Sequence, residues 1–402
     1  MSYTPSAKIL QKYSDVLIKF ALNNGKGAKK GDVIFLQIPE CAKPMLNPLQ
    51  LAVLKAGCFP VVQYQPEDAG RVFFENASEA QLEFFPKQYM LERINTADHI
   101  VSIISTTNHF ELKGVDSKKI MARSIASKFY SDAYRNKVDE KKLSWTLALF
   151  GTEHMAEEAG LSLKEYWKQI IKACFLDEEN PIKKWQEVFK ELERVRAKLN
   201  KLEIDYVHVE GKDVDLKVKI GPGRTWLGGS GQNIPSFELF ISPDFRGTEG
   251  WIKFNQPLYR YGNLIIGAEL EFRDGKVVKA KASKNAKLLK DMIAVEGADQ
   301  VGEFSLTDRR LSRITKFMGE TLFDENAGGR YGNTHIALGS AYRESYPDQV
   351  KSQKFTEQDW LDLGYNDSVI HTDIVSTTNR TVTAYLSNGS HKVIYKDGEF
   401  TV

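Results

Sequence analysis

The chain has 402 residues, 42% of them hydrophobic, a size that exceeds one core and predicts two domains of roughly 200 residues each. Its 55 basic and 53 acidic residues are interspersed and leave a formal charge of +2, which supplies no field for a polyanion and argues against a nucleic-acid partner. Three scattered cysteines, Cys41, Cys58 and Cys174, form no disulfide framework and read as free thiols of a reducing, cytoplasmic setting; the start of the chain does not read as a leader, and no apolar run approaches the roughly 20 residues of a membrane span.

Taken in chain order, apolar residues recur at helical spacing from Pro5 to Asn23, and Asp32-Val-Ile-Phe-Leu-Gln-Ile38 predicts a buried strand. A helix over Pro48–Ala56 then ends at Gly57, followed by short apolar strands at Phe59–Tyr64, His99–Ile104 and Trp145–Phe150. Helices alternating with buried strands predict an α/β N-terminal domain with a mostly parallel sheet. Asn180–Asn200 carries Trp185, Val188, Phe189, Leu192, Val195 and Leu199 on one stripe, an amphipathic helix whose end sets the expected boundary between domains 1–200 and 201–402.

Beyond that point the pattern becomes alternating, at Tyr206–Val209 and Val214–Ile220, as a sheet with one wet face requires. Asp274-Gly275, Asn388-Gly389 and Asp397-Gly398 punctuate further strands as tight hairpin turns. Helical spacing over Asn285–Ala294 and Thr307–Met318 adds two helices. The second half is therefore expected to be an α+β domain with mainly antiparallel strands.

The chemistry concentrates between Gly332 and Asp373. The whole chain has seven histidines, and two of them, His335 and His371, fall here. His371 and Asp373 stand two apart, so an extended strand would project both from one face toward one ion. Imidazole with carboxylate suits zinc, cobalt or manganese, and the lack of a Cys-x-x-Cys pair argues for an open, catalytic site rather than a closed structural one. Three glutamates share the apolar or glycine-rich context of a ligand: Glu238 is the one charge within Ile234–Pro243, Glu303 follows a glycine, and Glu325 precedes the glycine-rich segment leading to His335. Taken singly, each reads as an ordinary salt-bridged acid; beside two histidines and Asp373 they read as a ligand set.

Other patterns have plainer readings. His154 with Glu157 and Glu158 imitates part of a helical zinc motif, yet completes neither His-Glu-x-x-His nor its inverse, and reads as a histidine at a helix start. His99, His109, His208 and His391 stand in no ligand-like context. Gly221-Pro-Gly223 and Gly228-Gly-Ser-Gly231 lack the Gly-Lys-Ser/Thr of a phosphate loop and read as a rim beside Glu238. No Gly-x-Ser-x-Gly elbow is present, so covalent catalysis has little support.

Asn233-Ile-Pro-Ser-Phe-Glu238, Gly-Glu303, Asp-Glu325-Asn, His335-Ile-Ala-Leu-Gly-Ser-Ala-Tyr342 and His371-Thr-Asp373, in that order and over nearly the whole chain, resemble the thermophilic-type metalloaminopeptidases, the aminopeptidase T, aminopeptidase S and aminopeptidase II group. The resemblance implies an exopeptidase with two divalent ions held by Glu238, Glu303, Glu325, His335, His371 and Asp373. Glu303 would be the bridging carboxylate and Tyr342 a catalytic hydroxyl donating to the oxyanion, while Glu303 or Glu238 would carry the proton. A shared water acidified by two dications would be the nucleophile. The segment Gly328–Thr334 departs from the pattern, since some members have a shorter spacing between the Asp-Glu-Asn acid and the histidine, and this bears on the placement of Glu325. The resemblance further implies peptide substrates with a free N-terminus, broad specificity and a homodimer. Other readings of the same ligands are another two-metal amidohydrolase, such as a dipeptidase or acylase, and a metal- or peptide-binding protein without turnover.

Overall fold

In a computed structural model, residues 3–260, 263–352 and 354–402 are described, and the chain divides into two compact units, one of residues 1–185 with 230–234, the other of 186–229 with 235–402. The division runs within the helix Pro181–Leu199.

The first unit is built on a five-stranded parallel sheet in the order Phe59–Gln65, Val33–Pro39, His99–Ile104, Ser144–Leu149 and Asn233–Ile234. The inner strands are nearly all apolar because helices cover both faces of such a sheet, leaving no face for water; Ile34, Leu36, Ile38, Val101 and Ala148 are fully buried. The strand Phe59–Gln65, expected to be buried as well, lies at the sheet edge with Phe59 61% exposed. The N-terminal helix Ala7–Val16 starts at Ser6, whose hydroxyl accepts the amide of Ile9, and continues through a wider turn at Leu17–Ala21. Two asparagines in left-handed conformation, Asn23 and Asn24, end it.

The second unit contains an eight-stranded antiparallel sheet, in which the hairpin Glu269–Arg273/Lys276–Lys281 forms one edge and Glu399–Phe400 the other. Asp274 and Gly275 turn that hairpin with positive φ at both residues, as do Asp397 and Gly398. A separate four-stranded antiparallel sheet has the order His371–Ser376, Asn333–Gly339, Val301–Thr307, Glu238–Ile241. Its two central strands are buried at every position. An α/β first half and a mainly antiparallel second half agree with the expected fold class.

One predicted element is corrected. Thr307–Met318 contains no helix: Thr307 closes a strand, and Asp308 follows as a local organiser of turns. The Asp308 carboxylate accepts the amides of Arg310 and Phe400 and pairs with the Arg310 guanidinium. These bonds compete with helical ones, and the apolar residues Ile314 and Met318 are buried from irregular backbone instead.

Candidate metal centre

Cross-strand register gathers the polar groups of the four-stranded sheet. Glu238 lies opposite Thr307, Ser305 opposite His335, Glu303 opposite Ala337, Ala337 opposite Asp373, and Gly339 opposite His371. Side chains alternate along a strand and paired residues share a face, so Glu238, Glu303, His335, His371 and Asp373 all leave the same side.

Two donor groups result, Glu238–Glu303–His335 and Glu303–His371–Asp373, each with its ligand atoms within 4.8 Å of one another. Glu303 belongs to both. His335 Nε2 lies 3.2 Å from Glu238 Oε2, 3.2 Å from Glu303 Oε1 and 3.9 Å from Asp373 Oδ1. His371 Nε2 lies 3.4 Å from Asp373 Oδ1 and 3.7 Å from Glu303 Oε2. Among the described residues, Glu238, Glu303 and Asp373 pair with these two histidines, not with arginine or lysine. Buried carboxylates gathered around two imidazoles constitute an oxygen and nitrogen donor set that fits divalent cations such as zinc, cobalt or manganese.

The electrostatics reflect that crowding. Burial, with the charges of Glu238 and Asp373, pushes the Glu303 carboxyl up to about 7 against the opposing hydrogen bond of His335. Burial and the same two charges hold Glu325 well above the ordinary carboxyl range. Burial alone would lower His335, but hydrogen bonds to Glu238 and Glu303 reverse it and hold the imidazole well above its usual value. His371 is likewise lowered by burial, and the charge and hydrogen bond of Asp373, the charge of Glu303 and the Ser340 carbonyl together raise it to about 9. Burial opposes ionisation of Asp373, and the two histidines overcome it and bring its carboxyl below the usual range.

Supporting groups aim the donors. The Ser305 hydroxyl donates to Glu238 Oε2 at 2.8 Å. Asn333 donates its amide to the carbonyls of Glu325 and Ala327, which turns its oxygen toward His335 Nδ1 at 3.3 Å. These partners went unnoticed in the sequence, although Ser305 lies two residues after Glu303 and Asn333 two before His335, the spacing of one strand face. Gly228 supports the rim: its φ is +127°, and a Cβ there would lie 2.3 Å from the Glu238 carbonyl oxygen.

Two expected site residues stand apart from the donor groups. Glu325, at the end of the short helix Thr321–Asp324, is buried and interacts with the cluster through charge while belonging to neither group. Tyr342 lies beside the centre, its ring 4.9 Å from that of His371 and 5.5 Å from that of Phe240. Its amide donates to the Ser242 hydroxyl at 2.7 Å. Burial, then the charges of Glu303 and Asp373, raise its phenol far above the ordinary value, so it remains a hydroxyl donor.

A family model described as thermophilic metalloprotease (M29) matches residues 6–400. The chain is 26% identical to aminopeptidase AmpS of Bacillus subtilis (strain 168), over 95% of this chain and 97% of that one. It is 25% identical to aminopeptidase 2 of Geobacillus stearothermophilus, over 98% of each. Its fold is similar to that of wild-type AmpT from Thermus thermophilus, with a TM-score of 0.83 and 23% identity over 98% of this chain and 99% of that one. On the match across nearly its full length, the chain belongs to the thermophilic metalloprotease family, M29.

Proposed function

We propose that this protein is a two-metal aminopeptidase of broad specificity, acting on the first peptide bond of peptides with a free N-terminus. The observation that carries the reading is the sharing of Glu303 between two donor groups on one sheet face. Glu238 and His335 would hold one ion, His371 and Asp373 the other, with Glu303 spanning both and Glu325 completing the set from the adjacent turn. Zinc, cobalt and manganese all suit such donors. When bound, the ions supply Lewis-acid polarisation of the scissile carbonyl and a water acidic enough to react near neutral pH.

The chain's own residues do the rest. The substrate α-amine would be met either as an ammonium paired with a carboxylate of the centre or as a neutral amine on one of the ions. Tyr342 donates its phenolic hydrogen to the oxygen that becomes negative in the tetrahedral state, a contact stronger there than in the ground state. Glu303 or Glu238 carries the proton of the attacking water to the leaving amine. The names of the relatives support peptide ends as substrates. Three free cysteines support a reducing, cytoplasmic location, and a homodimer completes the reading through the family resemblance. Among the described residues, no helix is long and apolar enough to cross a membrane.

Chelated protein reconstituted with zinc, cobalt or manganese tests this with Leu-p-nitroanilide beside its N-acetyl form. Release of p-nitroaniline from the free amine alone is expected. Equal cleavage of both would point to an amidohydrolase without end recognition, and no cleavage with any metal would leave a binding protein.

A further inference from the structure

The first unit holds a second convergence of metal-ligand side chains. The parallel strands His99–Ile104 and Ser144–Leu149 end at the same edge of their sheet, where open α/β sheets place their ligand sites. The loop after the first carries His109, and the short helix Glu153–Glu158 after the second carries His154 and Glu158 one turn apart on one side. The ligand atoms of these three residues lie within 4.8 Å of one another. His109 Nδ1 is 2.5 Å from Glu158 Oε2, and His154 Nε2 is 3.3 Å from Glu158 Oε1.

Hydrogen bonds already draw the three side chains together. The His109 backbone amide donates to the single lone pair of His154 Nε2 at 3.2 Å, a bond that a cation on that nitrogen would replace. The same atom also faces Glu158 Oε1. Donors around a tetrahedral zinc, at about 2.0–2.1 Å from the ion, are roughly 3.3 Å apart, which the His154–Glu158 pair already matches; the His109–Glu158 pair widens by less than about 1 Å as its proton leaves. The loop is placed independently, since the Thr152 hydroxyl donates to the Thr106 carbonyl at 2.5 Å while capping the helix. Side chains 16–24% exposed leave a fourth position open to water.

We propose that His109, His154 and Glu158 form a divalent-metal site of the first-row transition type in the parallel-sheet unit, additional to the centre on the four-stranded sheet. The ion ties the loop after one strand to the helix after the next. His154 showed only part of a helical motif in the sequence because its partner imidazole arrives from 45 residues away.

The test is zinc uptake by full-length, chelator-stripped protein, read after dialysis against zinc-free buffer. Wild type is expected to retain one equivalent per chain more than either Glu158→Gln or His109→Asn, whatever number the other centre holds. A chain carrying His335→Ala, His371→Ala and Glu303→Ala is expected to keep one equivalent and to lose it on addition of Glu158→Gln, which separates this site from the fate of the aminopeptidase reading. Equal uptake by wild type and both variants, or an extra equivalent lost on dialysis, overturns the proposal. Comparison of melting temperatures in chelator excludes misfolding, and if Glu158→Gln fails to fold the loop variant His109→Asn decides.

Discussion

The Nδ1 atom of His371 lies 2.8 Å from the backbone carbonyl of Ser340. A carbonyl only accepts, so Nδ1 carries the hydrogen, and Nε2 is the atom turned toward Asp373 and Glu303. The equivalent support at His335 is the side chain of Asn333. Asn333→Ala is expected to weaken metal binding or activity about 10–100-fold, as loss of such orienting partners does. Metal titration of the variant checks it; unchanged affinity and rate would leave the imidazole oriented by packing alone.

Tyr342→Phe removes a hydroxyl that belongs to neither donor group. The expectation is a fall in kcat of roughly a hundredfold or more, with KM and metal content close to wild type. Unchanged kcat would take Tyr342 out of the mechanism.

Protons and metals compete for the centre, which makes stability depend on pH. In metal-free protein Glu303 is raised from 4.5 to about 7 and His371 from 6.5 to about 9, while Glu325 and His335 are raised as well. The stability from each such group is complete below its unfolded value and is lost as pH rises through its folded value. The chelated protein is therefore expected to lose stability from the ordinary carboxyl range up to about 9, by about 1.4 kcal/mol per pH unit for each extra proton held. Asp373, lowered instead, contributes stability that is lost only on acidification below this window. Cations replace these protons, so added metal is expected to flatten the slope and binding to release protons. Melting temperatures with and without metal across the range check this; a chelated protein that grows more stable with rising pH would contradict it.

Gly228→Ala places a methyl group 2.3 Å from the Glu238 carbonyl oxygen at a φ of +127°. A loss on the order of 2 kcal/mol is expected from the backbone alone, together with weaker metal retention as the Glu238 strand shifts. Chemical denaturation and metal analysis of the same sample read both effects. Full stability would mean that the Gly228–Ser230 segment moves aside freely.

Local patterning was a good guide where a structure is made by neighbours in the chain. The Asp274-Gly275 and Asp397-Gly398 turns adopt positive φ at both residues, as the dipeptides foretold. His371 and Asp373 do share a strand face, because that relation needs only an extended backbone. The Thr307–Met318 periodicity misled for the converse reason: Asp308 bonds to the amide of Phe400, far along the chain, and a helix there would forfeit that contact.

By itself the sequence determined the fold class of each half and set His371 and Asp373 two apart on one extended segment, because period and turn chemistry are properties of a few consecutive residues. It determined nothing about which strand lies beside which. Only the tertiary structure brought Glu303 between the two histidines, set Asn333 and the Ser340 carbonyl behind them, and joined His109 to His154 and Glu158. Those relations depend on cross-strand register and on loops meeting at a sheet edge, where contact is decided by packing across long stretches of chain.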